Sequence, residues 1–184
     1  IKKKVKLDAM LRSMRAATES GLNVKANILI GFPDEREEDL RDTARFLLEM
    51  ARAGVHDVSV WTFAPYPGCA LFDDLRARGA IPAMSDDYFA DLLSYSNLVE
   101  AVSFCEHIPA KRLERFRVAG LALFYGASYA LHPTRPLRTL LNVARERYES
   151  RLEMSLANLG RRLVRESLGR AGLAHRGVSA ARRW

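Results

Sequence analysis

Apolar residues in the first part of the chain alternate between helical and strand-like spacing. Residues 5–20 repeat apolar positions every three or four residues, and Gly21 follows as a left-handed helix cap. Val24 to Ile30 is a short apolar run with β-branched residues, which predicts a strand covered on both faces. A helix over residues 37–53, a strand over 57–63 and a short helix over 70–78 complete the series. This order is typical of βαβ units around a parallel sheet or barrel.

The later part of the chain has mainly helical spacing. Ser85 can cap a helix that continues to residue 93, while residues 95–109 fit either a loop or a short strand. A helix is predicted for Ala110–Leu131 after Pro109, and a second amphipathic helix of about eight turns for Leu137–Arg165. The pattern therefore divides the chain into strand–helix units at 1–82, a mainly helical extension at 83–168 and a flexible basic tail at 169–184.

Two predicted strands are too few for an independent sheet. The rest of the sheet would then come from another part of a longer chain or from a partner. The opening "IKKKVKLDAM" has no apolar stretch of the kind that follows the basic start of a signal peptide. We therefore expect this sequence to be a segment of a longer polypeptide.

Composition indicates a water-soluble globular protein, with 48% hydrophobic and 28% charged residues in a chain of 184. No apolar run approaches the roughly 18 residues of a membrane span. Charge is uneven, because residues 1–100 have a net charge of −3 and residues 101–184 one of +10. The second part could therefore contact an anionic membrane, nucleic acid or another domain. Nucleic acid is disfavoured because the sequence has no reader motif and no basic residues interleaved with aromatic ones.

The two cysteines, Cys69 and Cys105, form neither a disulfide framework nor a metal-binding pair. We expect reduced thiols and a cytoplasmic location. The run Cys105-Glu106-His107 does not predict a metal site, because adjacent side chains on a strand point to opposite faces.

Two turns follow the predicted strands, at the strand ends where parallel α/β folds bind ligands. In "GFPDER", Gly31 would let another backbone or a flat ligand approach closely. Asp34 and Glu37 fit a capping box, which is a purely structural explanation of the acidic helix start. In "FAPYPG", exposed backbone groups could pair with a purine edge, or the turn could simply be a tight connection. The residues alone leave these alternatives open.

The stretches "NILIGFPDEREEDL" and "VSVWTFAPYPGCALFDDLRARGAI" resemble the last part of the radical S-adenosylmethionine barrel. They are most similar to the cobalamin-linked branch that includes the anaerobic magnesium-protoporphyrin monomethyl ester cyclases. "LFYGASYALHPTRPLRTLL" is similar to the helical C-terminal extension of that branch. The resemblance covers residues 5 to about 147 and is strongest over 24–81. It implies the C-terminal part of a partial TIM-type (β/α)6 barrel, with the two strands as its fifth and sixth, followed by a mainly helical extension.

The resemblance also implies a cofactor site. S-adenosylmethionine and a [4Fe-4S] cluster would be the cofactors, and an upstream domain could bind cobalamin. The cluster ligands would lie outside this chain, which has no C-x3-C-x2-C motif. The resemblance assigns no metal ligand and no catalytic residue here. The residues implied to contact the adenine are Ile30, Gly31, Phe32, Pro33 and Glu35 in the first turn, and Phe63, Ala64, Pro65 and Tyr66 in the second.

This chain departs from the family pattern at three positions. Asp34 and Arg36 stand where the family has Gly and Thr, so we expect Asp34 to take over the helix cap. Cys69 replaces a Thr, with loss of a hydroxyl cap and no gain of function.

Two functions follow as expectations. The first is part of a radical S-adenosylmethionine enzyme, inactive alone, that acts on an unknown small molecule together with the upstream polypeptide. The second is a non-catalytic basic helical module that docks on a membrane surface or a partner protein.

Overall fold

The structure is a computed structural model and describes residues 5–81, 84–93 and 102–163. Its contacts divide the chain into two compact units, and the boundary between them in the sequence falls between His132 and Pro133. The predicted boundaries at residues 82/83 and 168/169 lie outside the described residues. The first unit contains α1 (Leu7–Glu19), β1 (Lys25–Ile30), α2 (Glu37–Arg52), β2 (Asp57–Thr62), α3 (Ala70–Ala77), α4 (Asp86–Leu93) and α5 (Ala110–Leu131).

The predicted order of elements is confirmed over residues 5–78. Two helix ends have the capping residues that the sequence predicted. Gly21 has φ +81°, as a left-handed cap requires. The Ser85 hydroxyl accepts a hydrogen bond from the Tyr88 amide, which confirms the predicted cap of α4.

β1 and β2 form a parallel pair in which Lys25 lies opposite Asp57 and Ile30 opposite Thr62. The intervening α2 packs with α5 on one face of the pair. Alternate strand residues point to that face and build the main core with both helices. Its largest fully buried members are Ile30, Leu40, Leu47, Met50, Val55, Val58, Ile108, Leu113 and Phe124.

The prediction that β1 is covered on both faces is wrong. Asn27 is exposed, and half of the Leu29 surface, 50%, is accessible. In the described part of the chain, helices pack on only one face of this strand. The neighbouring Trp61 donates its indole N–H to the Asn27 side-chain oxygen at 3.2 Å, a polar contact on the uncovered face.

α5 covers the outer edge of β2. The Arg117 Nε donates to the Val60 carbonyl at 3.0 Å, and the Tyr125 hydroxyl donates to the Asp57 carboxylate. Burial raises the pKa of Tyr125 well above its ordinary value. Covering an edge with a helix removes the unpaired backbone groups that would recruit another strand. The opposite edge, along β1, has no strand partner within residues 5–81, 84–93 and 102–163.

The second unit contains α6 (Thr134–Ala144) and a helix, α7, over residues 151–163. The predicted continuous helix from Leu137 to Arg165 is therefore wrong in its described part. The break follows Ala144, where Glu146 has φ +55° and the Glu153 carboxylate accepts the Ser150 amide at 3.2 Å to cap α7. α6 begins before Leu137 because a proline is tolerated in the first turn of a helix. Within the described residues no helix has the length and apolar character to span a bilayer.

Candidate functional site

The turns after β1 and β2 lie side by side. The ring centroids of Phe32 and Phe63 are 4.9 Å apart, and the Phe63 amide donates to the Ile30 carbonyl at 2.7 Å. This proximity follows from the register, because the two parallel strands end at the same edge of the sheet. The two sequence stretches that carried the resemblance therefore form one continuous surface.

The Glu35 side chain stabilises the first turn through hydrogen bonds to the backbone of the same turn. Its carboxylate accepts hydrogen bonds from the amides of Gly31 and Phe32, the latter at 2.9 Å. Burial raises the pKa of Glu35 despite these two amides, which favour the charged form. Glu35 thus holds the conformation of the turn, and its carboxylate is directed at backbone amides.

The predicted capping box between Asp34 and Glu37 is wrong. α2 begins at Glu37, and the Asp39 carboxylate accepts the Arg36 amide at 2.8 Å. Glu37 instead makes two hydrogen bonds of 2.7 Å with the guanidinium of Arg112, which lower its pKa. Asp34 lies two residues before the N-cap, Arg36, so it does not take over the cap and the expected coupling of the changes at positions 34 and 36 has no structural basis.

Gly31 makes room for α5. It has φ +82°, and a β-carbon there would lie 2.7 Å from Cδ1 of the fully buried Leu113. Further contacts cover the turn from the same direction, because Cys105 Sγ donates to the Glu35 carbonyl at 3.1 Å and the Glu106 amide to the Pro33 carbonyl at 3.0 Å. The space that the sequence left open for a flat ligand at Gly31 is occupied by a leucine.

The second turn rests on α4. The Tyr88 hydroxyl donates to the Pro65 carbonyl, and the Tyr88 ring belongs to a small apolar cluster under the turn. Ala64 is half-buried, and among the described residues its backbone N–H and C=O have no hydrogen-bond partner. Ala64 is the second residue of this turn and also packs against that apolar cluster.

The nine predicted contact residues differ in accessibility. Tyr66 is 52% exposed, whereas Phe32, Glu35 and Ala64 are half-buried. The accessible part of the surface is thus made by Tyr66 together with the exposed parts of Phe32, Glu35 and Ala64. The other five residues are buried beneath the surface of the two turns: Ile30, Gly31, Pro33, Phe63 and Pro65.

A cavity of about 460 Å³ lies next to the same cluster, between α3 and residues 102–106. Arg78 lines it and is held by Asp74 at 2.8 Å and Glu106 at 3.1 Å. Within the described ranges, no three His, Cys, Asp or Glu side chains are grouped as a metal site would need.

Sequence reasoning missed Tyr88, Cys105 and Leu113. Each lies more than twenty residues beyond the turn it touches, so local pattern could not place it there. The sequence did place Tyr88 and Leu113 on predicted helices. An apolar or aromatic residue on a helix indicates that the side chain is buried, but it does not indicate which residue the side chain contacts.

Comparison with known proteins assigns no family to this surface. The resemblance to the radical S-adenosylmethionine barrel therefore stays a prediction from the sequence stretches that carry it. No protein-family model, curated protein or solved structure matches the chain.

Proposed function

We propose that residues 5–81 are the last two strand–helix units of a radical S-adenosylmethionine barrel and supply the adenine side of its cofactor site. The observation that carries this proposal is the contact between the turns, with Phe32 and Phe63 centred 4.9 Å apart. Two motifs that the resemblance assigns to one ligand come from different strands and share one surface. If the turns lay on different edges of the sheet, they could not serve a single adenine.

The accessible residues fit the chemistry of a purine. Adenine offers a donor and an acceptor on one edge, and the Ala64 backbone presents the complementary N–H and C=O. The half-buried Phe32 ring provides an apolar face against which a flat base can stack. The buried residues of both turns, held by Glu35 and Tyr88, fix these groups in place.

The uncovered side of β1 supports the same proposal. Its backbone edge has no strand partner in the described part of the chain, while its exposed face includes Leu29. A further parallel strand beside β1 would pair that edge, and a closed arrangement of strands would bury that face. α5 already closes the other edge, as befits the last strand of a sheet.

When bound, S-adenosylmethionine and its cluster would supply a 5′-deoxyadenosyl radical for chemistry on the substrate. The part played by this chain is to orient the adenine and to exclude water behind it. It contributes two cysteines, Cys69 and Cys105, which are too far apart in sequence for the cluster motif. The chain by itself is therefore expected to be inactive.

The first test is the genomic sequence upstream of the codon for Ile1. We expect, in the same reading frame, a C-x3-C-x2-C run about 100–150 residues upstream, the length of four barrel units of about 30 residues. A complete reading frame without that run would overturn the assignment.

The second test measures S-adenosylmethionine affinity of the protein encoded by the complete reading frame. Ala64→Pro removes the backbone donor, and we expect about tenfold weaker binding, equal to about 1.4 kcal/mol. Cys69→Ser, in the same turn but with an exposed side chain, is the control and should bind normally. Equal affinities of the two variants would refute the role of Ala64.

A further inference from the structure

In residues 133–163, the described part of the second unit, two of the three buried residues are polar, whereas six leucines are exposed. Thr139 of α6 and Glu153 and Ala157 of α7 are its buried residues. Asn142 donates to the Glu153 carboxylate at 3.0 Å, and Arg138 pairs with Glu149 at 2.8 Å. The Asn142–Glu153 hydrogen bond thus joins α6 to α7, and the ion pair joins α6 to the connection that precedes α7.

Those apolar faces are accessible on both helices. On α6, positions 137, 140 and 141 share one side, opposite the buried Thr139. On α7, positions 156, 159 and 163 repeat at spacings of three and four. The exposed fractions are 63% for Leu137, 66% for Leu140, 42% for Leu141, 41% for Leu156, 54% for Leu159 and 57% for Leu163.

The charge of the same segment is positive. Residues 133–163 contain seven arginines and three glutamates, a net charge of +4. Two of the glutamates, Glu149 in the connection and Glu153 in α7, are engaged by Arg138 and Asn142 of α6. Exposed arginines lie both in the connection, at Arg145 and Arg147, and near the end of α7, at Arg161.

We propose that α6 and α7 bind the surface of an anionic lipid bilayer. Leucines would enter the boundary between headgroups and acyl chains, and the arginines would contact lipid phosphates. The net positive charge of this segment, together with its exposed leucines, favours a surface that is both apolar and anionic. This inference does not depend on the proposed radical function, because it uses only residues of the second unit.

Vesicle flotation of the 184-residue chain tests the proposal. The vesicles contain phosphatidylcholine alone or with about 30% phosphatidylglycerol, at about 50 mM and about 500 mM NaCl. We expect flotation with the anionic vesicles at low salt and its loss at high salt. Failure to float with anionic vesicles would overturn the proposal, as would equal flotation with neutral ones.

Substitutions locate the binding face. The triple variant Leu137→Gln, Leu140→Gln, Leu141→Gln should bind anionic vesicles at least about tenfold more weakly, while replacement of the same leucines by Met should preserve binding. Leu22→Gln with Val118→Gln is the matched control, since these side chains are also exposed, at 60% and 57%, but lie in the first unit. Circular dichroism verifies the helix content of each variant.

The outcomes separate lipid from protein as the occupant. Equal binding by the Gln triple and the wild type would refute a role of the α6 leucines and assign binding to another basic segment. A concentration-dependent dimer that the Gln triple abolishes, without flotation of the wild type, would overturn the lipid proposal in favour of a second copy of the chain.

Discussion

Substitution of Gly31 by alanine tests the packing at the candidate site most directly. Two separate costs are expected. A β-carbon at φ +82° costs about 1 kcal/mol, because left-handed backbone is unfavourable for residues other than glycine. The added carbon would also lie 2.7 Å from Cδ1 of Leu113, and displacing a fully buried side chain typically costs about 1–3 kcal/mol.

Gly21→Ala is a matched control because the two backbones are nearly the same. Gly21 has φ +81°, and a β-carbon there would meet nothing within 4 Å. It should therefore show only the backbone cost of about 1 kcal/mol. The difference between the two variants isolates the overlap with Leu113.

Urea unfolding followed by circular dichroism measures this difference. With a denaturant slope of about 2 kcal/mol/M, an extra 2 kcal/mol lowers the midpoint of Gly31→Ala by about 1 M relative to Gly21→Ala. In a Leu113→Ala background the two glycine variants should become equivalent. Equal midpoints in the wild-type background would show that Leu113 does not fill the space above Gly31, and the closed description of this turn would be wrong.

Three further predictions concern single side chains. Cys69 begins α3 without a side-chain cap, so Cys69→Thr should stabilise the protein by about 0.5–1 kcal/mol, and a lower melting temperature would contradict this. Tyr125→Phe removes a hydrogen bond to the buried Asp57 and should destabilise by about 1–3 kcal/mol in urea unfolding, whereas an unchanged midpoint would contradict the contact. Burial raises the pKa of the Glu35 carboxyl above 4.5 in the folded protein. The free energy of unfolding of the wild type therefore falls as pH rises from about 4.5 through that raised pKa, because the carboxyl must ionise while buried. The stability of Glu35→Gln relative to wild type should therefore increase with pH above about 4.5 and then level off, and a decrease would refute the burial of this carboxylate.

Local chemistry predicted much of the first unit. α5 has the bounds that its start after Pro109 and its apolar spacing predicted, and β1 differs by one residue. Glycines at positive φ follow α1, α2 and α3, and the first of them is the predicted cap Gly21. These features depend on neighbours within a few residues, so they can be read from a single chain.

Helix boundaries that depend on competing partners were predicted less well. Asp34 and Glu37 satisfy the spacing of a capping box, but Glu37 pairs with Arg112, 75 residues away. The regular leucine spacing from Leu137 suggested one long helix, yet Glu153 caps a second one. Spacing shows which side of a helix is apolar, and it does not show whether the helix continues.

By itself, the sequence determined the order of helices and strands over residues 5–78, the uneven charge and the two motifs that end the strands. The tertiary structure decided what lies over those motifs: Leu113 fills the space at Gly31, and Tyr88 holds Pro65. It also decided that six leucines of α6 and α7 are exposed, since only packing shows which face of an amphipathic helix is covered. The physical reason is that turns and helix caps are short-range interactions, whereas burial depends on residues brought together across the whole fold.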